Sequence, residues 1–226
     1  KGHGATKLAC ALKNLKACIP DSEKRRFHAE GLHKPIAALN TIIRQDLAIV
    51  DGLCGDPTSE TGGNPLQMDR VILGKDPVLV DSYVAELMGY RPDMIEHIDL
   101  AARCGVGTMD IASARIREFG KPRFQKIPRQ DDSRLRRLKA YISESQACSA
   151  CYGSTIYALQ RLEESRNLGN LAERICLGQG YRGKKGNGLG IGSCTRGFSK
   201  SLDGCPPTAR QIYEFLAAAA ESRSGA

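Results

Sequence analysis

The 226-residue chain is 41% hydrophobic with a formal net charge of +8, enough apolar content to bury a core in one sizeable domain or two small lobes. Aromatic residues make up only 5%, tryptophan is absent and glycine is abundant, which argues against a helical bundle packed by large rings and for loop-rich α/β architecture. No apolar run approaches the roughly 20 residues that cross a bilayer, so no membrane span is expected.

The opening Lys1-Gly-His-Gly-Ala-Thr-Lys7 has neither an initiator methionine nor the apolar core and cleavage site of a signal peptide, and reads as a processed or trimmed start. Ile36, Leu39 and Ile43 share one face of a predicted helix over 35–43, and residues 46–51 read as a short buried strand ending at Gly52. A turn-rich loop follows to Pro65, then a short apolar stretch at 71–74. Val80, Val84, Leu87 and Met88 recur at helical intervals over 77–88. Pro92 opens a further helix carrying Ile95, Ile98 and Ala102, which stops near Cys104-Gly105. Such alternation predicts an α/β fold with a mostly parallel sheet covered by helices over residues 1–120.

Residues 121–139 hold Pro122, Pro128 and a charge run, and read as a linker or surface excursion. A second, smaller α/β lobe is expected over 140–226. It comprises a helix over 152–166 with Ile156, Leu159 and Leu162 inward, a brief strand at 174–177 and a glycine-rich loop over 178–192. Thr208-Ala-Arg-Gln211 has the form of a capping box starting a last helix, with Ile212, Phe215, Leu216 and Ala219 on one face. No internal repeat is present.

The positive charge is concentrated. Residues 121–139 carry a net +6 and 182–200 a net +5, leaving the remainder at −3. This suits a solvated basic surface, an acidic protein partner, an anionic substrate or compensation of a negatively charged cofactor. Nucleic acid is disfavoured, because no binding motif or aromatic platform accompanies the charge.

Nine cysteines cannot all pair with one another. Cys10, Cys18, Cys54 and Cys104 lie in or beside apolar segments and read as buried structural thiols in a reducing, cytoplasmic compartment. Cys148, Cys151, Cys194 and Cys205 differ. The first two form Cys-Ser-Ala-Cys ahead of a predicted helix, whose N–H groups would favour thiolate. The third ends Gly192-Ser-Cys194, and the fourth opens Gly204-Cys205-Pro206-Pro207. A 4Fe–4S cubane needs four thiolates converging from different directions, which two ligands from one turn and two from separate loops provide. Gly192 and Gly204 would let backbone approach the cofactor closely. A zinc site remains an alternative, although zinc ribbons bring two short-spaced pairs and only one is present here. A Cys148/Cys151 redox disulfide is a further one.

The Gly192-Ser-Cys194 and Gly204-Cys205-Pro-Pro207 elements resemble the cluster-binding part of hydrogenase small subunits and of the related cluster subunit of respiratory complex I, a local likeness within 148–216. The first 120 residues resemble the domain of unknown function family numbered 362. The likeness rests on Lys1-x-His3-x-x-Thr6, Ala11-Leu-Lys-Asn14, Arg25-Arg-Phe-His-Ala-Glu-Gly-Leu-His33, Asp46-Leu-Ala-Ile-Val-Asp51-Gly52 and Gly74-Lys-Asp-Pro-Val-Leu-Val-Asp81. The resemblance implies association with iron–sulfur redox chemistry and supplies no reaction. Cluster ligation carries over only to the four C-terminal cysteines.

Two weaker signals remain. Gly178-Gln-Gly180-Tyr-Arg-Gly183 matches a dinucleotide fingerprint but runs into further glycines instead of opening a helix, and Lys185 stands where a phosphate loop needs Ser or Thr. His3, His28 and His33 with Asp51, Asp56, Asp76 and Asp81 lie at or near strand ends and could form a substrate or metal pocket, though single residues of these types more often cap helices and anchor turns. The expectations are therefore a 4Fe–4S electron carrier, an oxidoreductase with a cluster-linked pocket, or a zinc-stabilised binding module.

Overall fold

In the computed structural model, residues 1–3, 6–57, 66–120 and 133–224 are described. The chain divides into two compact units, Lys1–Gln130 and Asp131–Ala226.

The first unit begins with a small antiparallel ribbon of β1 (Gly2–His3) and β2 (Lys7–Leu8), then α1 (Ala11–Asn14), α2 (Asp21–Glu30) and α3 (His33–Ile42). A second antiparallel ribbon pairs β3 (Ala48–Gly55) with β4 (Leu66–Gly74), and α4 (Pro77–Leu87) and α5 (Glu96–Arg103) follow. Leu8, Leu12, Phe27, Ile36, Val78, Val84, Ile95 and Ile98 form its core. The start of α4 is set by Asp76, whose Oδ1 accepts from the N–H groups of Val78 and Leu79, both at 2.9 Å, with Pro77 supplying the fixed φ of a first helical position. The helices expected over 35–43, 77–88 and 92–105 are all present. The strand expected to be buried and to end at Gly52 is instead half-exposed and continues to Gly55. A two-stranded ribbon is covered on one side only. Ala48 and Val50 turn inward, while Ile49 and its partner Leu73 stand 65% and 61% exposed beside Val71.

The second unit contains α6 (Ser133–Lys139), β5 (Ile142–Glu144), α7 (Ser149–Glu164), β6 (Ile175–Leu177), β7 (Gly186–Ile191), β8 (Phe198–Leu202) and α8 (Ala209–Ser224). Its four strands form one sheet in the order β5-β6-β7-β8, all parallel. The α/β class thus holds, with the parallel sheet in this unit and antiparallel ribbons in the first. Of the residues expected to form a linker, 121–132 lie outside those described and 133–139 form α6, whose Leu138 is buried.

Side-chain alternation divides the sheet. Ile142, Ile175, Leu177, Leu189 and Ile191 pack with Ile156, Leu159 and Leu162 of α7 and Ile212 and Leu216 of α8. The other face carries a row of small residues in register, Ser143, Cys176, Gly190 and Ser201. Tyr181 lies over it, its hydroxyl 2.9 Å from Ser143 Oγ and its ring edge-on to Phe198. The loop expected over 178–192 is therefore part loop and part strand. Glycines at 186, 188 and 190 alternate with Asn187, Leu189 and Ile191, and at 190 a Cβ would collide with Thr195.

Candidate functional site

Because the four strands run the same way, their C-terminal ends share one edge, where α/β proteins gather ligands. Each of the four C-terminal cysteines follows from that edge. Cys148 lies just beyond β5 and is the N-cap of α7, and Cys151 sits in the first turn of the same helix. Cys194 follows β7 in a 3₁₀ turn, Ser193–Thr195, and Cys205 follows β8. The remaining strand, β6, sends Gln179 to the edge, where its amide Nε2 lies 3.8 Å from Cys148 Sγ.

The turns are tied to one another by backbone bonds. Gly192 N–H donates to Leu202 O at 2.8 Å and Ser193 N–H to Gly204 O at 2.9 Å, joining the Cys194 and Cys205 turns. Gln179 N–H donates to Gln146 O at 3.1 Å and Gly180 N–H to Ser145 O at 3.0 Å, joining the β6 end to the approach to Cys148. Both glycines singled out in the sequence take φ values that side chains resist, +88° at Gly192 and +142° at Gly204. A Cβ on Gly192 would stand 3.5 Å from Cys151 Sγ and 3.4 Å from Gly204 O, in ordinary contact, so the turn lies against the helix start and it is the positive φ that calls for glycine there.

Cys148, Cys151 and Cys194 are half-buried and Cys205 is exposed. Burial pushes the Cys151 thiol up to about 12, and the neighbouring charges of Cys148, Cys205 and Cys194 push in the same direction. A thiol so placed stays protonated unless a cation or cofactor compensates the charge. Two 16-residue helices, α7 and α8, begin at this edge, and their N-terminal ends supply partial positive charge. The start of α8 is the expected capping box: Thr208 N–H donates to Gln211 Oε1 at 2.9 Å and Gln211 N–H to Thr208 Oγ1 at 3.3 Å. Among the described residues no group of three or more His, Cys, Asp or Glu side chains stands as the ready-made ligands of a metal ion.

The other thiols depart from expectation. Cys18, Cys54 and Cys104 are exposed, Cys54 beside the equally open Leu53 on the β3–β4 ribbon, and Cys10 is half-buried against the core of the first unit. The buried thiol is Cys176, on the small-residue face of the parallel sheet.

The histidines and aspartates serve several places. Asp51 accepts from its own Leu53 N–H at 3.0 Å, Asp76 caps α4 and also holds Thr108 N–H at 2.9 Å, and His28 Nε2 lies 2.8 Å from Lys16 Nζ. His3 and Asp56 are buried, and His3 Nδ1 accepts from Thr6 N–H at 3.0 Å. His33 and Asp81 are brought together through a residue the sequence reading passed over, which His3 also faces. His97 stacks on His33, with ring centroids 5.4 Å apart, and its Nε2 lies 3.9 Å from Asp81 Oδ2, without a hydrogen-bond partner. Asp81 accepts from Ala11 N–H at 2.7 Å and Leu12 N–H at 3.3 Å, holding the start of α1. Burial raises Asp81 to about 7 and lowers His97 to about 3. The Ile98/Ala101 apolar pattern of α5 masked His97, which shares their buried face.

The basic segments also divide in space. Lys184 and Lys185 precede β7 and so lie at the end of the sheet away from the cysteines, whereas Arg196 lies two residues after Cys194. Lys200 pairs with Glu173 at 2.6 Å, and on α6 Arg134 and Arg137 meet Glu163 at 2.6 and 3.2 Å.

Residues 1–86 match the family model described as Domain of unknown function (DUF362). The match ends well before the cysteine-bearing unit. No curated protein and no solved structure matches the chain. No helix among the described residues is long and apolar enough to cross a membrane.

Proposed function

We propose that the C-terminal unit holds one 4Fe–4S cluster on Cys148, Cys151, Cys194 and Cys205 and that the protein transfers electrons through it. The observation that carries this reading is the single sheet edge to which two turns and a helix start bring these four thiols. Zinc would draw four sulfurs to one centre at about 2.3 Å. A cubane spreads its thiolates over four irons, so its ligands come from several separate turns. When bound, the cluster supplies one-electron chemistry. The chain's own contribution is to orient the thiols, to bring backbone close at Gly192 and Gly204, and to offset negative charge with the starts of α7 and α8. Gln179 would direct an amide N–H at the Cys148 sulfur. Exposed cations on segments that follow the site residues, Arg182 and Arg196, would face an acidic redox partner.

The test is anaerobic purification with iron, acid-labile sulfide and zinc analysis and an EPR spectrum of the reduced protein. Iron and sulfide in equal amounts, near four per chain, are expected. Stoichiometric zinc without sulfide overturns the reading. Cys194→Ser should lose most of the cluster, whereas Cys104→Ser, on an exposed thiol of the other unit, should retain it.

An oxidoreductase with a pocket in the N-terminal unit is the second reading, favoured by the contact of His33 and Asp81 with His97. The separate local partners of His28, Asp51 and Asp76 weigh against a pocket built from the whole set.

A further inference from the structure

Asp203 stands between the end of β8 and Gly204-Cys205, and its carboxylate gathers donors from both of the later cysteine turns. Oδ1 accepts from Ser193 Oγ at 2.5 Å, Arg196 Nε at 3.0 Å and its neighbour Gly204 N–H at 2.9 Å, and Oδ2 accepts from Arg196 Nη2 at 2.7 Å. Ser193 and Arg196 flank Cys194, and Gly204 directly precedes Cys205. The bond from Ser193 N–H to Gly204 O, 2.9 Å, runs alongside. One carboxylate therefore fastens two thiol-bearing turns to each other.

The pair is solvent-facing, with Arg196 68% and Asp203 57% exposed, so as an ion pair it stabilises the fold little. Its geometry does something else. The bidentate guanidinium contact fixes direction as well as distance, and the hydroxyl and backbone donors leave the carboxylate little freedom. It also holds a cation beside the site, since Arg196 senses the charge of Cys205.

We propose that Asp203 is the positioning residue for Cys194 and Cys205, and that the arginine it holds, Arg196, is a fixed cation that tunes the reduction potential of the cluster. This rests on the cluster reading above. Reduction adds an electron, so a nearby positive charge favours the reduced state and a negative charge opposes it. Removing either partner of the clamp should therefore move the potential in opposite directions.

The experiment compares anaerobically reconstituted wild type with Asp203→Asn, Arg196→Gln and Ser193→Ala, reading iron release to a chelator and the midpoint potential by EPR-monitored titration. Asp203→Asn should release iron about tenfold faster or more, in line with other residues that orient metal ligands, and shift the potential upward. Arg196→Gln should shift it downward, and Ser193→Ala should raise the release rate by less than Asp203→Asn without moving the potential. Wild-type release rates in Asp203→Asn, or potential shifts of the same sign in the two charge variants, overturn the proposal. If Asp203→Asn does not fold, as judged by circular dichroism of the cluster-free protein, the other two variants decide: an unmoved potential in Arg196→Gln together with wild-type release in Ser193→Ala overturns it. Absence of iron and sulfide from wild type would instead defeat the cluster reading itself, so the two failures are distinguishable.

Discussion

The N-terminal unit encloses its ionisable groups, whereas the C-terminal unit sets its reactive ones along an edge. Asp81 and His97 have no exposed side-chain surface, and their neighbours are the helix starts and apolar side chains of a mixed core. Cys148, Cys151 and Cys194 are only half-buried and Cys205 is open, and the elements around them are turns and helix N-termini. Enclosure suppresses charge, since burial raises Asp81 to about 7 and keeps His97 neutral. An edge location leaves charge to be compensated from outside, by helix ends, Arg196 or a bound cofactor. The two units thus show how the same polypeptide handles polar groups when they are structural and when they are available.

The largest expected effect on stability tests how far the edge depends on the core behind it. Leu159, fully buried between α7 and the parallel sheet, should cost about 2–5 kcal/mol when replaced by Ala. The equally apolar Ile49, on the open face of the β3–β4 ribbon, should change stability by no more than about 0.5 kcal/mol when replaced by Thr. Urea unfolding measures both, and equal costs would mean that the open face is covered in solution.

A second measurement sharpens the account of enclosed charge. For Asp81, raised from 3.8 to about 7, the native state keeps a proton that the unfolded chain releases, so this group alone makes stability fall as pH rises across that window. For His97, lowered from 6.5 to about 3, the unfolded chain takes a proton that the native state refuses, so this group alone makes stability fall as pH drops across its window. Between about pH 4 and 6.5 the two slopes oppose each other: the native pair holds its one proton on Asp81 and the unfolded pair holds it on His97. Cys10 and the Lys1 amino group face Asp81, and His33, Lys13 and His3 face His97. Asp81→Asn should leave stability rising with pH, and His97→Gln should leave it falling, as read from denaturant midpoints at about pH 4.5 and 6.5. Slopes of the same sign would show that the two groups do not form a pair.

The smallest effect concerns the frame of the edge. Thr208→Ala removes one arm of the capping box and should cost about 1 kcal/mol. With α8 beginning just beyond Cys205, the same variant should also speed iron release slightly if the helix start helps to hold that turn.

Much of this was readable from residue order. The capping box at Thr208 and Gln211, the helices α3, α4 and α5 and the four cysteines all carry local signals, because a cap, a helical face or a Cys-x-x-Cys needs only nearby residues, whereas α1 and α2 were not read. The edge did not, since it depends on which strands pair and in what direction. β7 was hidden because alternating glycines contribute neither hydrophobicity nor β-propensity, although Leu189 and Ile191 kept the period of two. The exposure of Cys18, Cys54 and Cys104 was invisible because apolar neighbours in sequence do not fix burial, Leu53 beside Cys54 being itself open. Asp203 could have been found: an acid before Gly-Cys, with Ser193 and Arg196 around the preceding cysteine, is a pattern of complementary groups.

The order β5-β6-β7-β8 has a consequence for how the site comes into being. Each strand docks beside the one made just before it, so the sheet can grow in the direction of synthesis without waiting for distant segments. The thiols arrive in the same sequence: the helix-start pair first, Cys194 two strands later, Cys205 last after β8. Until β8 has docked, Cys205 has not reached the edge, so the final strand completes the set of four thiols.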